Sequence, residues 1–67
     1  MERNDARRHR ESAEMHERAA KLHDEAAERW IGQGDRERAE LESRNAAIER
    51  DAAQLERERA ELEERGS

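Results

Sequence analysis

Non-polar residues return along this chain at intervals of seven. Ala6, Ala13, Ala20 and Ala27 form one row, and His9, His16, His23 and Trp30 form a second row three residues further on. In the later half, Leu41, Ile48, Leu55 and Leu62 keep the same interval. A repeat of seven holds side chains on one stripe of an α-helix, the pattern of helices that pack along their length. It predicts two long helices, about 5–31 and about 36–65, in a single all-α hairpin spanning 1–67, with a coiled-coil-like seam.

The break between them is Gly32-Gln33-Gly34-Asp35, a connection short enough to make the helices antiparallel neighbours. Gly32 is expected to supply the left-handed stop of the first helix. Asp35 is expected to cap the second, with Glu37 in the first turn where the helix dipole favours an acid. Asn4 or Asp5 is the expected cap of the first helix, and Gly66 the end of the second.

Folding the chain at this turn suggests a register. With Ala27 facing Leu41, Ala20 facing Ile48, Ala13 facing Leu55 and Ala6 facing Leu62, every layer sets a small residue against a large one. Trp30 then closes the seam over the turn. The histidines fall between those layers, with His9 level with Glu58 or Arg59, His16 with Asp51 or Ala52, and His23 with Arg44 or Asn45. The early Arg7, Arg8 and Arg10 lie beside the late Glu61, Glu63 and Glu64.

This register leaves a second non-polar surface. Met15, Ala19, Leu22 and Ala26 lie on the first helix, and Ala39, Ala46, Ala53 and Ala60 on the second. An arc that wide is more than one partner helix covers. The expected outcome is a four-helix bundle, most simply a homodimer, or a hairpin that takes a helix from another protein.

Composition sharpens this picture. The chain has four Leu, two Ile, two Met and one Trp against twelve Ala. A chain of 67 residues with so few large non-polar side chains is expected to need a partner. Nearly half of the residues are charged, which raises the question of disorder. The absence of proline and the i,i+4 pairs Glu14–Arg18, Glu17–Lys21 and Glu25–Arg29 argue for helix. Thirteen Arg against one Lys, with abundant Ala, point to a GC-rich bacterial genome. No non-polar run approaches the ~20 residues of a membrane span, and the expected location is cytoplasmic.

Candidate chemistry is confined to the histidine row. Histidines seven apart are separated by about 10.5 Å along a helix, so no two within one helix share an ion. Bundle metal sites add a ligand three or four residues away, and those positions here are Ser12, Ala13, Ala19, Ala20, Ala26 and Ala27. His9, His16 and His23 are therefore expected to be seam residues hydrogen-bonded to carboxylates, with metal or proton sensing as the alternative role. No cofactor is expected. No cysteine nucleophile or glycine-rich phosphate loop occurs, and Ser12 near His9 and His16 sits on a helix surface without oxyanion donors. The expectation is a protein that is not an enzyme.

Trp30-Ile31-Gly32 at the turn resembles the Trp-x-Gly signature of the small secreted WXG100 proteins, which are also helical hairpins. That resemblance covers three residues and implies secretion. WXG100 proteins are longer, and their helices are richer in large non-polar residues. An RNA-binding hairpin dimer shares only the architecture, and the net charge of −5 disfavours a nucleic-acid partner.

Overall fold

The computed structural model describes residues 2–66, with side chains from residue 5 onward. It consists of two α-helices, α1 (Glu2–Gly32) and α2 (Arg36–Gly66), packed against each other as a hairpin. Its Cα atoms span 51 × 12 × 9 Å. Since helix Cα atoms lie about 2.3 Å from their axis, the 12 Å width leaves about 7–8 Å between the two axes. That is at or below the close end of helix packing, and only small side chains fit between helices so near.

The buried residues show how this spacing is met. They are Ala6, Ala13, Ala20 and Ala27 of α1 and Ala39, Ala46, Ala53 and Ala60 of α2, each 5 % exposed or less. The seam is alanine against alanine. Cross-helix pairs on one side of it, such as His16–Glu49, bring Ala20 level with Ala46, and those on the other, such as Asp24–Arg50, bring it level with Ala53, so the alanines of the two helices interleave.

This overturns the small-against-large register. Leu41, Ile48, Leu55 and Leu62 do not enter the seam and are 52–65 % exposed. Ala39, Ala46, Ala53 and Ala60, expected on an outer association face, are the inner face of α2. The two rows lie two residues apart in sequence, about 200° around a helix. The expected α2 was therefore turned by a little more than half a revolution. A leucine layer would hold the axes further apart and would pull the flanking polar pairs out of reach.

The turn has a specific hydrogen-bond pattern. Asp35 N–H donates to Trp30 C=O at 2.9 Å, and Gly34 N–H donates to Ile31 C=O at 2.9 Å. These two bonds make a Schellman stop, in which the residue between them must be left-handed. That residue is Gly34, with φ +78°, and not Gly32, which ends α1 in helical conformation. α1 also begins at Glu2, so neither Asn4 nor Asp5 stands at its start.

Asp35 caps α2: its Oδ1 accepts from Arg38 N–H at 3.0 Å, and its carboxylate lies 3.4 Å from the Arg38 guanidinium. Arg38 in turn stacks 4.7 Å over the half-buried Trp30 ring, so one side chain joins the cap to the end of α1. Asp35→Ala is expected to destabilise the hairpin by about 0.5–2 kcal/mol. Thermal melts followed by circular dichroism would check this.

Candidate association surface

Two polar ladders flank the alanine seam. On one side, every histidine meets a glutamate of the opposite helix. His16 Nδ1 lies 2.6 Å from Glu49 Oε1, His23 Nδ1 lies 2.7 Å from Glu42 Oε1, and His9 Nδ1 lies 3.3–3.4 Å from the two Glu56 oxygens. The expected neighbours of the histidines near residues 44, 51 and 58 are replaced by residues two to three positions earlier, as the turned α2 requires. On the other side, Arg10 pairs with Glu64, Arg57 with Glu17, and Arg50 with Asp24. Asp24 also raises the pKa of Arg50, chiefly through their hydrogen bond.

The cause lies in the sequence next to each buried alanine. Three residues after Ala6, Ala13 and Ala20 stands a histidine, and three after Ala39, Ala46 and Ala53 stands a glutamate. Four residues after the same alanines of α1 stand Arg10, Glu17 and Asp24; four after Ala46, Ala53 and Ala60 stand Arg50, Arg57 and Glu64. Antiparallel packing brings each of these rows onto its chemical complement. Glu42, Glu49 and Glu56 are the residues that a reading of the non-polar rows alone misses. Their own interval of seven, in step with the alanines, is the signal that finds them.

Glu56 is the most strongly held carboxylate. Its pKa is lowered to about 2, first by a hydrogen bond from Arg59, then by one from Ser12, with burial opposing and His9 adding a smaller push. A carboxylate with a depressed folded-state pKa contributes stability above its ordinary value near 4.5 and loses that contribution as pH falls toward 2. Melting temperature is therefore expected to drop through that window. Glu56→Gln is expected to lower stability at pH 7 and to shallow the acid drop in the same melts.

Among the described residues no three His, Asp or Glu side chains are grouped as a metal site would require. Each of the candidate ligands His9, His16 and His23 is paired singly with its glutamate.

Among the charged residues on the outside stand two non-polar rows. Leu41, Ile48, Leu55 and Leu62 form a continuous outer row along α2, while Met15 and Leu22, 63 % and 64 % exposed, lie on the outer edge of α1. Ala19 and Ala26 beside them are half-buried. The two outer rows lie on opposite edges of the hairpin, each turned about 150° from the seam. No protein-family model, curated protein or solved structure matches the chain. Among the described residues no helix is long and non-polar enough to cross a membrane.

Proposed function

We propose that this chain is a non-enzymatic helical association module, and that the outer row of α2 receives another helix. One observation carries the reading: among the described residues only alanines are buried, while four large non-polar residues at heptad spacing face outward. Burying a leucine-sized side chain fully is worth about 1.5–3 kcal/mol. Covering a row that is 52–65 % exposed therefore gains about 1 kcal/mol or more per residue. The surface offers little for catalysis by comparison. A groove of about 450 Å³ beside Arg10, Glu17, Arg57 and Glu64 is lined by charges already paired across the helices.

Sedimentation equilibrium at micromolar concentration tests the reading. An assembly larger than one chain, or saturable binding of a partner helix, supports it; a fully helical monomer that binds no helix sinks it.

A second reading, proton sensing, is favoured by the histidine ladder. All three histidines of the chain face carboxylates across the helices. Protonation of an imidazole there makes a charge-assisted bond, which is stronger than a neutral one. Melting at pH 5.5 and at pH 8 tests this reading, and a higher melting temperature at pH 5.5 supports it. Equal melting at both values would leave the ladder a purely structural device.

A further inference from the structure

Resting on the association reading above, we infer that the occupant of the α2 outer row is α2 of a second copy, running antiparallel, with a twofold axis beside Asp51. The inference comes from the charges along one flank of the row. Glu37, Arg44, Asp51, Glu58 and Arg65 are all exposed and follow one another at intervals of seven beside the leucines.

Antiparallel pairing has one register that uses the whole non-polar row: Leu41 over Leu62 of the second copy, and Ile48 over Leu55. In that register Glu37 falls beside Arg65 of the second copy and Arg44 beside Glu58, each twice by symmetry. Only Asp51, at the axis, meets a like charge, its own mate. Slipping one heptad in one direction sets Arg44 against Arg65 and Asp51 against Glu58. Slipping in the other sets Glu37 against Glu58. Either slip also loses a non-polar layer. The register that buries most and the register that pairs charges best are the same one.

The partners available inside the hairpin agree. Among the described residues, Glu37, Asp51 and Arg65 make no ion pair within the chain. Arg44 pairs only with Glu40, one turn away on the exposed surface. A parallel arrangement would bring Glu37 and Glu58 to Arg38 and Arg59 instead. Both of those arginines are already engaged, Arg38 by Trp30 and Asp35 and Arg59 by Glu56. The antiparallel pair leaves the cap and the histidine ladder undisturbed. It also leaves Met15 and Leu22 of both copies on the far edges of the assembly.

Single-cysteine variants of the full chain test this cleanly, because the chain has no cysteine of its own. The variants are Arg44→Cys, Asp51→Cys and Glu58→Cys, treated with a bismaleimide of about 10 Å reach. Antiparallel pairing puts position 44 about 21 Å along the helix axis from its own mate, and level with position 58 of the other copy. Asp51→Cys is expected to cross-link to itself. Arg44→Cys and Glu58→Cys are each expected to cross-link to themselves at least tenfold less than to one another when mixed.

Efficient self-cross-linking of Arg44→Cys and Glu58→Cys would show a parallel pair and overturn the inference. A dimer by sedimentation that cross-links at none of these positions would also overturn it, by placing the contact elsewhere, while leaving self-association standing. A monomer by sedimentation would defeat self-association as a whole.

Discussion

Replacing Ala46 with leucine lowers the melting temperature of the hairpin by about 5–20 °C, measured by circular dichroism at fixed protein concentration. The expectation follows from the width of the molecule. Ala46 is 0 % exposed at the centre of a seam whose axes are about 7–8 Å apart, and no space remains there for three more heavy atoms. Overpacking of this kind costs about 1–3 kcal/mol, and in a domain this small each kcal/mol is worth about 4–8 °C. Separating the helices to admit the leucine would also lengthen the His16–Glu49 and His23–Glu42 contacts on one side and the Asp24–Arg50 pair on the other. The control lies one residue away. Ala47 is exposed, and Ala47→Leu is expected to leave the melt within a few degrees of the parent. Equal effects at 46 and 47 would mean that α2 does not present its alanine row to α1.

Introducing Ile48→Glu together with Leu55→Glu is expected to raise the dissociation constant of the assembly at least 100-fold, which corresponds to about 2.7 kcal/mol. These two residues are the middle of the outer row, 65 % and 52 % exposed in the single hairpin. Carboxylates placed there would have to be buried without partners in any helix pair that uses the row. The hairpin itself keeps its alanine seam and both ladders, so its helical signal at low temperature is retained. It melts earlier than the parent, because association no longer stabilises the folded chain by mass action. Sedimentation and circular dichroism on one sample read both effects. Loss of helix together with loss of association would mean that Ile48 and Leu55 hold the hairpin itself together.

The two helices, the turn and its capping aspartate were legible in the sequence because each rests on local chemistry. Heptad spacing, glycine at a reversal and an aspartate before a helix act within a few residues. The facing of α2 was not legible in the same way. It carries two heptad rows that could each meet the alanines of α1, and size complementarity favours the leucines. What decides against them is a non-local match. The histidines after Ala6, Ala13 and Ala20 need carboxylates, and only the alanine face of α2 carries a glutamate three residues after each of Ala39, Ala46 and Ala53. The arginine and acid rows four residues after the alanines impose the same choice from the other side. The alanine pairing makes three cross-helix polar contacts on each side at a helix spacing that a leucine layer would not allow, and it leaves the leucines outside.

The left-handed glycine was misplaced for a related reason. Gly32 and Gly34 are equally permissive, and the choice depends on where the last helical carbonyls find donors. Asp35 N–H and Gly34 N–H reach Trp30 and Ile31 only if α1 continues through Gly32 and the chain reverses at Gly34.

Alanine inside and leucine outside is the arrangement from which the association surface, the ladders and the proposed dimer all follow. Methyl-to-methyl nuclear Overhauser contacts in protein carrying labelled alanine, isoleucine and leucine methyl groups measure it directly. The arrangement predicts contacts of Ala20 with Ala46 or Ala53 and of Ala13 with Ala53 or Ala60 within one chain, and none between Ala20 and Ile48. Contacts of Ala20 with Ile48 and of Ala13 with Leu55, without the alanine pairs, would contradict it.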